Sequence, residues 1–133
     1  MSYTARIDAL AEQARADRAA FEPPADPPDR EQALAYLREG AGQALGVYVD
    51  ARAGEDAPVR FEPAAYRRLE GAMNDWLALY AACHGTRIEA SFTLRTAAEL
   101  LVDTHDIVAV ARLLTGVPER GEEVTPAGDE RQN

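Results

Sequence analysis

The strongest pattern in the sequence is an apolar stripe between Pro63 and Gly85. Its members recur every three or four residues, which places them on one face of an α-helix: Tyr66, Leu69, Met73, Trp76, Leu77, Tyr80 and Cys83. Proline suits the first turn of a helix, and glycine suits the position just after its end. The sequence therefore predicts a long central helix, ending at His84, against which the rest of the chain must pack.

A weaker helix and a proline-rich spacer are predicted at the start of the chain. Residues 4–21 favour helix by their alanine and charge content, but Asp17 and Arg18 interrupt the apolar side. The spacer EPPADPPD then places four prolines within six residues, which favours an extended chain. We therefore expect residues 1–28 to form a loosely attached N-terminal helix followed by a spacer.

A second long helix is predicted over residues 30–52, with Asp29 as its N-cap and Gln32 at the capping-box position. Apolar residues recur there at helical spacing: Leu34, Leu37, Ala41, Ala44, Leu45 and Tyr48. The glycines in this stretch are expected where helices approach closely: Gly40, Gly42 and Gly46. Because glycine weakens a helix, a hairpin that pairs GVYVDAR with PVRFEP remains an alternative.

Two short helices are predicted in the second half of the chain. Thr93 is the expected N-cap of a helix over residues 94–102, and Asp106 is the expected N-cap of a helix that runs to Leu114. Residues 119–133 carry no apolar pattern and are expected to be a disordered acidic tail. The fold class is therefore all-α, a small bundle of four to five helices whose domain spans residues 29–118.

The chain is acidic and contains no lysine. It carries 23 acidic residues against 14 basic ones, all arginine, for a net charge of −9. An acidic surface of this kind is typical of salt-adapted proteins, which suggests a haloarchaeal source. The chain has no apolar run of the roughly 18 residues that a membrane span requires, and it has a single cysteine. We expect a cytoplasmic protein that does not bind membranes.

The segment THDIV is similar to the His-Asp doublet of the HD phosphohydrolases, an all-helical superfamily that hydrolyses phosphoesters with bound divalent metals. This resemblance implies His105 and Asp106 as the doublet and His84 as the earlier histidine. A fourth ligand has no match, since the only later aspartate is Asp129. The alternative, and our expectation, is a capped helix junction that binds no metal.

A zinc site is a further interpretation of the same residues. Its donors would be Cys83 and His84 together with Asp103 and His105. Neighbouring residues leave a helix about 100° apart, however, and neither a C-x-x-C nor an H-x-x-x-H spacing occurs. Cys83 is better explained as part of the central stripe. We therefore predict no metal and no cofactor.

Residues 94–115 also have the spacing of a helix-turn-helix. A recognition helix needs hydrogen-bond donors that reach base edges and phosphates, and this one offers only Arg112 and Thr115. Binding to nucleic acid is therefore the alternative hypothesis. Motifs for nucleotide binding and nucleophilic hydrolysis do not occur in the sequence, so we do not expect an enzyme.

The stretches WLALYAACHG, FTLRTAAELLVDTHD and LLTGVPER together resemble a family of short acidic haloarchaeal proteins of unknown function, over about residues 30–120. That family implies no activity. Leu100 and Leu113 fall outside the apolar faces of their helices, and Leu79 and Val47 lie at the margins of theirs. Because clustered exposed leucines suggest a contact surface, we predict a protein-binding module that dimerises through Leu100 and Leu113.

Overall fold

The computed structural model describes residues 3–52 and 62–117, and its regular elements within those ranges are all helices. They are α1 (Tyr3–Ala20), α2 (Arg30–Tyr36), a π-helical turn (Leu37–Ala41), α3 (Gly42–Arg52), α4 (Pro63–Cys83), α5 (Leu94–Thr104) and α6 (Ile107–Thr115). Since α2, the π turn and α3 follow one another without a break, they form one helix over residues 30–52. The predicted small all-α bundle is confirmed. The predicted tail over residues 119–133 lies outside the described residues.

Helix α4 lies at the centre of the bundle, where α1, α2, the π turn, α3 and α6 all pack against it. Six members of the predicted stripe are at most 2% exposed: Leu69, Met73, Trp76, Leu77, Tyr80 and Cys83. Leu79 and Val47 are buried as well. Their predicted position at exposed margins is wrong, because neighbouring helices also cover the margins of the apolar faces of both helices.

The two ends of α4 confirm the predicted boundaries. Pro63 occupies the first turn, and His84 is the C-terminal capping residue. Gly85 has a φ of +83°, a conformation that glycine adopts without the strain imposed by a Cβ. The amides of Gly85 and Thr86 donate to the carbonyls of Ala82 and Ala81, both at 2.9 Å. This is the arrangement that satisfies the last carbonyls of a helix.

Helix α1 lies along α4 and contributes buried side chains to the bundle. Ile7 and Ala14 are fully buried. The carboxylate of Asp17 accepts a hydrogen bond of 2.9 Å from Nε1 of Trp76, and Arg18 forms an ion pair of 2.8 Å with Asp75 of α4. The two polar residues that interrupt the apolar pattern of α1 therefore bind α4. The separation of residues 1–28 from the domain stays a prediction.

The helix over residues 30–52 starts at the predicted cap and changes phase at the π turn. The Asp29 carboxylate accepts from the Gln32 amide at 3.2 Å. The Asp29 amide donates to the Cys83 carbonyl at 2.8 Å, which joins the start of this helix to the end of α4. Before the π turn the buried residues are Ala33 and Tyr36 rather than the predicted Leu34, because the wider turn shifts the face that points inward.

The three glycines of this helix differ in their surroundings. A Cβ on Gly40 would lie 2.4 Å from the Trp76 ring, and one on Gly42 would lie 2.9 Å from the Leu37 carbonyl oxygen and 3.6 Å from Ile107. The predicted close approach between helices is confirmed at Gly40. At Gly42 the tight contact is within the helix itself, and Ile107 of α6 lies at ordinary contact distance. The predicted close approach is wrong at Gly46, where nothing lies within 4 Å.

The alternative hairpin over residues 46–63 is contradicted in its first half. GVYVDAR belongs to α3, where the buried residues recur every three or four positions, as they do on one face of a helix: Ala44, Leu45, Val47, Tyr48 and Ala51. Residues 53–61, which include most of the second half, lie outside the described part of the chain.

Candidate interaction surface

The connector that leads into α5 is held by polar side chains of α4. The amide group of Asn74 donates to the Phe92 carbonyl at 3.0 Å and accepts from the Phe92 amide at 2.8 Å. The Glu70 carboxylate accepts from the Leu94 amide at 2.9 Å. These bonds replace the partner strand that an extended segment would otherwise require, and they set the position of α5.

The α5–α6 pair has the predicted capped junction. The Thr93 hydroxyl accepts from the Thr96 amide at 3.1 Å, and the Asp106 carboxylate accepts from the Val108 amide at 3.0 Å. Between the helices, His105 is left-handed with a φ of 55°, and its amide donates to the Leu101 carbonyl at 2.7 Å. The doublet His105-Asp106 therefore turns the chain and begins α6.

The third residue of the metal hypothesis lies at a different place in the fold. His84 is at the C-terminal end of α4, with its ring centroid 4.9 Å from that of Tyr80. Within residues 3–52 and 62–117, no three His, Cys, Asp or Glu side chains are grouped so that they could hold a metal ion. The resemblance to HD phosphohydrolases stays a hypothesis from the sequence.

Cys83 faces the interior, where burial and the nearby negative charge of Asp29 raise the pKa of its thiol to about 11. A thiol must ionise to act as a nucleophile or as a metal ligand. Near neutral pH this one is protonated, and its side chain is fully buried. Cys83 therefore behaves as a core residue, as the stripe predicts.

The candidate DNA-contacting residues lie near the end of α6. Arg112 is exposed. The hydroxyl of Thr115 donates to the Ala111 carbonyl at 2.7 Å and accepts from the Val117 amide at 3.1 Å. It is thus engaged in ending its own helix. DNA binding stays an alternative prediction.

The α5–α6 pair carries the large aliphatic side chains that are most exposed in the described part of the chain. Leu113 is 62% exposed, as predicted, and Val102 is 58% exposed. The predicted exposure of Leu100 is wrong, because this side chain is half-buried and packs against the core. The exposure of Val102 was not predicted because the predicted α5 ends there, whereas α5 continues to Thr104. An outward-facing valine within an otherwise charged helical face was the available signal.

Val102 lines a groove between α3 and α5 with a volume of about 610 Å³. The apolar part of the lining is Tyr48, Val49, Ala98 and Val102, and the charged part is Arg52, Arg95, Glu99 and Asp103. Arg95 and Glu99 form an ion pair of 3.4 Å one helical turn apart. A partner can therefore place apolar side chains in the groove and form ion pairs with the charged residues that line it.

None of the described helices combines the length and the apolar character needed to cross a membrane. No curated protein and no solved structure matches the chain. The profile of a protein family, described as a domain of unknown function (DUF8055), matches residues 1–119, a range that includes α1 to α6. The chain therefore belongs to the DUF8055 family.

Proposed function

We propose that this protein is a non-catalytic, cytoplasmic helical module for protein–protein interaction that forms a homodimer through its α5–α6 pair. The observation that carries the proposal is the exposure of Val102 and Leu113 on two adjacent helices. Single exposed aliphatic residues are normal on a protein surface. Two large ones on one short helical pair, one of them beside a groove, favour a surface that a partner covers.

The expected affinity is modest. Fully burying one valine or leucine side chain is worth about 1.5 to 3 kcal/mol, and Val102 and Leu113 are already partly covered. Association must offset about 4 to 15 kcal/mol of lost translational and rotational freedom. A symmetric dimer buries each side chain twice, which offsets only the lower end of that cost. The rest of the interface must therefore supply most of the roughly 8 kcal/mol that a micromolar Kd requires.

The acidic charge of the chain determines the conditions under which the dimer should form. Two copies, each with a net charge of −9, repel one another in dilute buffer. At about 1 M salt the Debye length falls to roughly 3 Å, so exposed charges on the two copies no longer interact over long distances. The proposal therefore includes a salt-adapted host, and it predicts stronger association in molar salt.

The test is the oligomeric state of the full chain in molar salt at micromolar concentration, measured by light scattering and sedimentation. We expect the unmodified chain to be dimeric and the double variant Val102→Glu/Leu113→Glu to be a folded monomer. Leu100 is left unchanged because a glutamate there would disrupt the core. Ala16→Glu/Ala19→Glu, on exposed positions of α1, adds the same charge and should leave the dimer intact. A monomeric unmodified chain would overturn the proposal.

A further inference from the structure

We infer that the second copy of the chain packs over the groove between α3 and α5, with the two α5 helices antiparallel across a two-fold axis. This inference rests on the proposed self-association and adds its geometry. The charges that line this groove are balanced, although the whole chain has a net charge of −9. The groove has two basic and two acidic residues: Arg52, Arg95, Glu99 and Asp103.

The order of the charges along α5 determines the orientation of the second copy. Arg95 lies near the N-terminal end of the helix and Asp103 near its C-terminal end, about 12 Å apart at 1.5 Å per residue. In a two-fold dimer, if one residue contacts a second, that second residue contacts the first. An antiparallel pair brings Arg95 of each copy to Asp103 of the other. A parallel symmetric pair would bring Arg95 to Arg95, which is repulsive.

The apolar residues of the same face agree with this arrangement. The midpoint between Arg95 and Asp103 is residue 99, and the midpoint between Ala98 and Val102 is residue 100. These two midpoints differ by one residue. The two-fold axis that pairs Arg95 with Asp103 therefore also places Val102 of each copy close to Ala98 of the other. Ala98 is small and only 7% exposed, whereas Val102 is 58% exposed. A protruding side chain thus meets a small one twice, which is the complementarity that close helix packing requires.

Glu99 lies near the axis, where it would approach Glu99 of the second copy. Its charge is balanced within its own copy by Arg95, at 3.4 Å. Arg52 lines the α3 side of the same groove, and its Cζ lies 5.6 Å from the ring centroid of Tyr48 on the same helix. With two arginines beside two acids in each copy, neither sign of charge is in excess across the interface.

The test exchanges the two charges that define the orientation. In Arg95→Glu, both interhelical contacts become acid against acid, and in Asp103→Arg both become arginine against arginine. We expect each variant alone to dimerise about tenfold more weakly or worse.

An equimolar mixture should restore the dimer as a heterodimer, because the glutamate introduced at position 95 of one copy then meets the arginine introduced at position 103 of the other. The second contact of that heterodimer keeps the original Arg95 and Asp103. The double variant should also recover dimerisation.

The measurements use the full chain at the lowest salt at which the unmodified chain is both folded and dimeric, because higher salt weakens exposed ion pairs. Arg15→Glu and Glu12→Arg, in an exposed ion pair on α1, are the matched controls and should leave the dimer unchanged. If the unmodified chain dimerises and the α5 reversals have no effect, the geometry is wrong while the self-association stands. If the unmodified chain is monomeric in molar salt, both fail.

Discussion

Helix α4 and the α5–α6 pair are built from similar apolar residues but have different surroundings. Helix α4 is packed by α1, the helix over residues 30–52 and α6, whereas α5 packs mainly against α3 and α6. As a result α4 buries large side chains on several sides, including Leu79 outside its main stripe. The buried residues of α5 and α6 are few: Leu94, Ala97, Ala98, Val110 and Ala111.

This difference shows how one apolar pattern can serve two purposes. An apolar residue on a surrounded helix contributes to the stability of the monomer, because a neighbouring helix covers it. The same residue type on a helix packed from one side is available to a second molecule. Substitutions in the two regions should therefore separate effects on folding from effects on association.

The largest expected effect comes from Trp76→Ala in α4. The indole is fully buried, so its removal should lower the free energy of unfolding by about 3 to 5 kcal/mol. It also removes the hydrogen bond that the indole donates to Asp17. Val102→Ala on α5 should change the stability of the monomer by less than about 0.5 kcal/mol. Denaturant titration below the dimerisation range measures both. A small loss at Trp76, or a large one at Val102, would remove the contrast between the regions.

Smaller effects on stability are expected at two glycines of one helix, and the two substitutions should act in opposite directions. Gly40→Ala would place a methyl group against the Trp76 ring, and we expect it to destabilise the fold by about 1 to 3 kcal/mol. Gly46→Ala meets open space and should stabilise the fold by up to about 1 kcal/mol, since alanine favours helix over glycine. Thermal unfolding of both variants provides the comparison. Equal shifts would mean that contact with α4 is not what requires glycine at position 40.

The smallest effect is expected at the junction of α5 and α6. His105 has a φ of 55° and Gly116, at the end of α6, has a φ of 73°. His105→Gly should stabilise the protein by about 0.5 to 1 kcal/mol, because a left-handed conformation strains residues that have a Cβ. Gly116→Ala should destabilise it by a similar amount. If His105→Gly instead lowers the melting temperature, the imidazole makes an interaction that the capped junction does not explain.

Much of the fold could be predicted from the sequence because its helices carry local signals. Pro63 and Gly85 mark the ends of α4, and Thr93 and Asp106 cap α5 and α6 as expected. These features depend on residues within one turn of each other. The candidate site was only partly predictable. Leu113 was identified as exposed, whereas Val102 was missed because the predicted end of α5 was two residues short.

The sequence by itself determined where α4 begins and ends, where α5 and α6 begin, and which face of α4 is apolar, since capping and periodicity act over a few residues. Only the tertiary structure decided the role of Asp17, which interrupts the apolar side of α1 yet accepts the Trp76 hydrogen bond. It also decided that Leu79 is buried and Val102 exposed. Both depend on which helices lie beside α4 and α5, and that is a property of the assembled bundle.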